Sequence, residues 1–256
     1  QTGIATIYWN SELDKVLHGL MSECAAVYLN SNEQTRADIT VETRDGRFGK
    51  QLRKKYPLHR YERCAPIMHT LRAVKSEGEI RQMQTACNIT EKGFRRILKS
   101  IKPGMNELQI QADLAHEFLL NRSRGFAYEP IVASGFSACV LHYIQNNQEC
   151  KDGDVILMDF GAEYGNYASD MTRCVPVNGK FTERQKAVYN AVLRGMRASM
   201  ELLRPGVYLM DYHRQVGHLM EKELVELGLL SAAEIENQNP DWPAYKKYFM
   251  HGTSHF

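Results

Sequence analysis

DVILMDFGAEYGNYASDMTR, residues 154–173, is the stretch that decides the fold. Its first half is an apolar run that reads as a strand, with Asp159 near its end. Its second half, from Tyr167, reads as the returning strand and contains Asp170. With a two-residue turn centred on Tyr164-Gly165, Glu163 pairs with Asn166, and the same register sets Asp159 opposite Asp170. Directly opposed strand residues have Cβ atoms about 4.5–5.5 Å apart. Two carboxylates that close stay ionised together only with positive charge between them. Oxygen donors of this kind suit hard or borderline divalent cations. A bulge would shift the register and undo the pairing. The plainer structural alternative is that Asp170 pairs with Arg173 or solvent while Asp159 merely ends a strand.

Outward from this hairpin the pattern alternates between sheet and helix. AYEPIVASG (127–135) and SACVLHYI (137–144) read as further strands. Upstream, Ser76 and Glu79 form a capping box that opens a helix. Its apolar positions Ile80, Met83, Cys87, Phe94, Ile97 and Leu98 recur at near-helical spacing. That helix stops at Lys102-Pro103-Gly104, and Asn106 caps the next. Downstream, Thr182 and Gln185 form a second capping box. This helix runs to about Leu203, stops at Pro205-Gly206, and is followed by another through Leu227. The order helix, Pro-Gly, helix therefore occurs twice, which predicts duplicated halves about a pseudo-twofold axis rather than a solenoid. Strands follow the first copy up to about Val177. The second copy has too little chain left to complete its own sheet, so a missing C-terminal part is expected.

The first 66 residues carry weaker signals. Ile4 to Trp9 reads as a strand, Leu13 to Leu20 as a helix, and residues 44–60 as a charged, turn-rich loop. We read residues 1–66 as the C-terminal remnant of an N-terminal accessory α/β domain, and residues 72–256 as the catalytic domain.

Two histidine features join the hairpin. His251-Gly-Thr-Ser-His255 presents two imidazoles four residues apart, on one face of an extended segment. One can bind a metal and the other can contact substrate. No HExxH is present, so the helix-borne zinc protease pattern is absent. His142, in CVLHYI, is an imidazole among apolar residues, a setting that also suits a satisfied core histidine. Asp159-Phe160-Gly161 spells a kinase DFG, but no HRD segment and no glycine-rich loop accompany it.

Bulk properties narrow the partners. The 256 residues carry a net charge of +2, with 43% hydrophobic and 24% charged residues. This composition is that of an ordinary globular protein, with no general field for nucleic acid or an anionic membrane. No apolar run reaches the length of a membrane span, and the N-terminus lacks a signal peptide pattern. The six cysteines form no CxxC pair and are read as buried free thiols in a reducing cytoplasm.

VLHY at 140–143, DFGAEYGNYASDMTR at 159–173 and HGTSH at 251–255, in this order, resemble the pita-bread metallopeptidase family. The resemblance covers about Arg72 to Phe256 and lies nearest the Xaa-Pro aminopeptidases. It implies an α/β (α+β) fold in which a duplicated domain carries a curved sheet. It also implies two divalent metal ions, manganese expected. Asp159, Asp170 and His255 match the family's metal ligands, with Asp170 bridging, and His142 and His251 match histidines that bind the substrate backbone and stabilise the transition state. The expected substrates are peptides with proline in second position, cleaved at the N-terminal bond by a water activated between the ions. Prolidase is the near alternative, and a catalytically dead binding module the more distant one. The resemblance leaves a homo-oligomer open. Family members carry two further glutamate ligands after the HGxSH segment. The 256 residues alone are therefore expected to bind metal poorly, while the complete protein is active.

Overall fold

The computed structural model describes residues 3–33 and 41–255. The ends of both expected domains, and residues 34–40 within the first, lie outside the described residues. The chain divides into two compact units, residues 1–80 and 81–256.

The first unit contains α1 (Leu13–Glu23), β1 (Ala26–Leu29), α2 (Arg44–Lys55), β2 (Arg60–Arg63) and α3 (Ala65–Ala73). The two strands pair in parallel, Ala26 beside Arg60 and Leu29 beside Arg63. Met21, Leu52 and Ala65 are its buried apolar residues. Two expectations fail in this unit. Ile4 to Trp9 forms no strand, and most of residues 44–60 is helix α2 rather than loop. Thr43 caps α2 by accepting a hydrogen bond from the Gly46 amide at 3.0 Å. Arg53, Lys54 and Lys55 crowd its last turn, where cations meet the negative end of the helix dipole. The helix was hard to see because so few of its residues, Gly49 and Leu52, are buried.

The second unit is built on α4 (Glu77–Ser100), whose last twenty residues belong to it, and α5 (Glu107–Leu120). β3 (Ile131–Ser134), β4 (Val155–Phe160), β5 (Glu163–Tyr164), β6 (Tyr167–Ala168) and β7 (Met171–Pro176) follow. Helices α6 (Glu183–Leu202), α7 (Leu209–Glu226) and α8 (Ala232–Glu236) complete it. Strands β3, β4 and β7 form an antiparallel sheet with β4 in the centre.

Burial alternates along β4. Ile156, Met158 and Phe160 are buried, whereas Val155, Leu157 and Asp159 are half-buried. A strand's side chains alternate faces, so the core pulls Ile156, Met158 and Phe160 one way and turns Asp159 to the other. The core itself joins these residues to Ile89 and Ile97 of α4 and to Ile110, Leu114 and Phe118 of α5. The two helices pack closely because Gly93 lies against the ring of Phe118.

The helix starts follow the sequence reading. Ser76 and Glu79 hydrogen-bond reciprocally at the head of α4, Asn106 caps α5, and Thr182 with Gln185 forms the capping box of α6. Each Pro-Gly stop has its glycine at positive φ, Gly104 at 87° and Gly206 at 89°. Two helix pairs joined by a Pro-Gly turn are therefore present. Only the first is followed by a multi-stranded sheet among the described residues.

Four further expectations are corrected. The hairpin turn is Gly165-Asn166, not Tyr164-Gly165, since Tyr164 pairs with Tyr167. Both corner residues have positive φ, 59° and 67°, as a tight primed turn requires, and asparagine tolerates this better than tyrosine. The register accordingly sets Asp159 opposite Thr172 rather than Asp170. Residues 137–144 are not a strand, because a short 3-10 helix (Gly135–Cys139) is followed by a turn. All six cysteines are free, but only Cys150 is buried, while Cys87 and Cys139 are exposed.

Candidate metal centre

The acidic pair is assembled by a pinch in the hairpin. Between the β4–β7 and β5–β6 ladders, the amide and hydroxyl of Ser169 both donate to the Ala162 carbonyl, at 3.1 and 3.0 Å. The Ala162 amide in turn donates to Thr90 Oγ1 of α4 at 2.8 Å. The strands come so close here that a Cβ on Gly161 would overlap the Ser169 carbonyl oxygen. Glycine alone fits. Asp170 follows directly from this clamp.

Asp159 and Asp170 then converge on one hydroxyl. Tyr128 Oη lies 2.6 Å from Asp159 Oδ1 and 3.0 Å from Asp170 Oδ1. A phenol has one proton to give, so it can satisfy only one of the two carboxylates at a time. Burial, and then the hydrogen bond to Asp159, push the Tyr128 phenol far above its ordinary range, so it stays protonated. The other oxygen of Asp170 faces His255, whose Nε2 is 3.1 Å from Oδ2. Asp170 therefore touches both neighbours, and Arg173 is not its partner: that guanidinium donates to the Thr172 carbonyl.

The histidine segment is neither strand nor helix. Residues 251–255 are irregular, and their two imidazoles part company. His255 turns to Asp170, and His251 turns to His142, with ring centroids 6.4 Å apart and nearly perpendicular. The segment is tied to α7 by the Thr253 amide, which donates to His213 Nδ1 at 3.2 Å. His142 sits in the turn after the 3-10 helix at φ 54°. All three histidines are exposed, so His142 is no core residue.

Two carboxylates and an imidazole are donors that fit a divalent cation, and the under-supplied proton between the carboxylates is what a cation would relieve. Among the described residues, no group of three or more His, Cys, Asp or Glu side chains is close enough to hold an ion as placed. Asp159 is linked to His255 through the Tyr128 hydroxyl and then Asp170.

Several supporting residues escaped the sequence reading. Tyr128 carried no signal beyond being an aromatic within a predicted strand. Thr90 and Ser169, with hydroxyls 2.6 Å apart, are 79 positions distant in sequence. Glu107 looked like an ordinary acid in the first turn of a helix, yet it is fully buried.

Comparison with known proteins extends these observations. A model of metallopeptidase family M24 matches residues 81–256. The Xaa-Pro aminopeptidase of Escherichia coli K12 is 36% identical over 250 residues, covering 96% of this chain and 56% of that protein. The Xaa-Pro dipeptidase of Mus musculus is 37% identical over 197 residues, 75% of this chain and 39% of its own length. Among solved structures, zinc-substituted E. coli aminopeptidase P in complex with product superposes with a TM-score of 0.81 at 34% identity, covering 98% of this chain and 57% of that one. Proline aminopeptidase P II from Yersinia pestis gives 0.79 at 34% identity, covering 94% and 55%. The chain spans about half the length of the curated relatives it matches. The structural neighbours are pita-bread folds, and the mixed helix and sheet described above is of that class. A match over the whole second unit, including the acidic hairpin and the histidine segment, makes the chain a member of metallopeptidase family M24.

Proposed function

We propose that the full-length protein is an aminopeptidase that releases the N-terminal residue from peptides with proline in second position, using two divalent metal ions, manganese in this reading. One observation carries the proposal: Asp159 and Asp170 converge on a single phenol proton, with His255 against Asp170. When bound, the cations supply an activated water and Lewis acidity. Asp159, Asp170 and His255 would hold them, with Asp170, whose two oxygens face different neighbours, as the shared ligand. The exposed imidazoles of His142 and His251 would bind the peptide backbone and donate to the carbonyl oxygen as charge develops there. Tyr128 would donate to the Asp159 carboxylate and hold it in place. Residues 1–66 fit an accessory domain, and the six free cysteines suit a cytoplasmic setting.

The extent of similarity favours an aminopeptidase over a dipeptidase, because the E. coli aminopeptidase match runs into the first unit and the mouse dipeptidase match covers less of the chain. The test is release of the N-terminal residue by full-length protein from an Xaa-Pro-Xaa tripeptide, with and without Mn²⁺, beside an Xaa-Pro dipeptide and an Xaa-Ala-Xaa tripeptide. Metal-dependent cleavage of the proline tripeptide alone is expected. Cleavage of the dipeptide alone would make it a prolidase. No cleavage despite bound metal would point to a binding module.

A further inference from the structure

Glu107 is the first residue of α5 and is fully buried. A buried carboxylate needs its lone pairs filled, and this one accepts four hydrogen bonds. Oε1 takes the Ser134 amide at 2.7 Å and the Ser134 hydroxyl at 2.8 Å. Oε2 takes the Tyr143 hydroxyl at 2.8 Å and the Gln148 amide at 3.0 Å. One oxygen thus grips β3, the strand hydrogen-bonded to the strand that carries Asp159. The other grips both ends of the segment 143–148, which begins one residue after His142.

A second fastening lies in the same segment. Asn146, also buried, accepts from the Val132 amide at 2.9 Å and donates to the Pro130 carbonyl at 2.8 Å. The segment is therefore bound to β3 at two places. Immediately before it stands His142, at φ 54°, a conformation that residues with a β-carbon seldom adopt. Its own side chain is exposed and, among the described residues, no hydrogen bond holds it. Val140, Leu141 and Ile144 are exposed as well, so they do not fasten the turn by burial.

We propose that Glu107 is a positioning residue: through Tyr143 and Gln148 its buried carboxylate fixes the turn in the left-handed conformation that sets the His142 imidazole against His251. The assignment rests on the functional reading only in taking His142 as a substrate-binding group. Tyr143→Phe is the cleanest probe, since it keeps the buried ring and removes one hydroxyl. Glu107→Gln places a donor where two amides and two hydroxyls now donate, and perturbs the cluster more.

The experiment uses full-length protein with histidines labelled at Cε1, the His142 resonance being identified by its loss in His142→Ala. Tyr143→Phe and Glu107→Gln are expected to shift that resonance and weaken its ring-to-ring contact with His251, while the His255 resonance stays in place. On the proline tripeptide, Tyr143→Phe is expected to lower kcat/KM about tenfold, short of the roughly hundredfold that an ångström of misplacement can cost. Added to His142→Ala, it should lower it no further, because coupled residues are non-additive. An unchanged His142 resonance in both variants, or full additivity, overturns the proposal. If Glu107→Gln does not fold, Tyr143→Phe decides alone. If the wild type cleaves no Xaa-Pro peptide, the functional reading fails by itself and the resonance still decides the positioning.

Discussion

Tyr128 separates two carboxylates with one proton, and that arithmetic gives the first prediction. Tyr128→Phe leaves the ring and takes away the one donor that, among the described residues, reaches both Asp159 and Asp170. Groups that orient metal ligands typically account for about 10–100-fold in metal affinity. A loss of that size is expected in Mn²⁺ binding by calorimetry, with little change in thermal stability of the metal-free protein. Affinity within about twofold of wild type would mean that the phenol only fills space. At this scale the sequence told a partial story. The carboxylates and imidazoles are recognisable because their types and order recur in a family. Tyr128, Thr90, Ser169 and Glu107 act through long-range contacts that no local spacing encodes. His142 was expected in a strand because its neighbours are apolar, but those neighbours are exposed, and what shapes the turn is the polar pair Tyr143 and Asn146.

The hairpin shows what an element adds to its residues. Its strands were readable from the apolar run of β4 and its turn from Gly165, but the register was off by two because Asn166, not Tyr164, shares the corner. The acids nevertheless meet, because the pinch at Gly161, Ala162 and Ser169 and the hydroxyl of Tyr128 gather side chains that the ladder does not place opposite. Gly161→Ala should therefore be severe. The obstacle is the Ser169 backbone, and Thr90 holds the opposing amide of Ala162, so neither strand can step aside. We expect a loss of about 3 kcal/mol or more, the upper end for overpacking, read from urea denaturation of the full-length protein. A change under about 1 kcal/mol would show that the pinch can relax. Helix starts were legible for a simple reason: Ser76, Asn106 and Thr182 cap locally, within three residues. Helix α2 was not, since its glycines and charges resemble a loop and only its placement gives it a buried side.

For the whole molecule, pH enters through its buried core. Burial pushes the Cys150 thiol up to about 11 from an ordinary value of 9.0. Below pH 9 both folded and unfolded chains keep the proton, and this stability is fully present. Between pH 9 and 11 only the unfolded chain ionises, so stability falls as pH rises. Two units correspond to about 2–3 kcal/mol at most. Denaturation curves should show that extra loss in wild type and not in Cys150→Ala, and parallel losses in both would remove Cys150 as the cause. The two helix pairs were visible in sequence as two Pro-Gly stops, and helix α4 runs through the division after residue 80. The Glu107 cluster carries one more consequence, for the kinetics of opening. The amides of Ser134 and Gln148 both end on the same carboxylate although they belong to a strand and a loop. Solvent deuterium can reach either only when that carboxylate is withdrawn. The two should exchange at matched rates, as a single unit that opens together, making the loop beside His142 as slow to breathe as the sheet behind it.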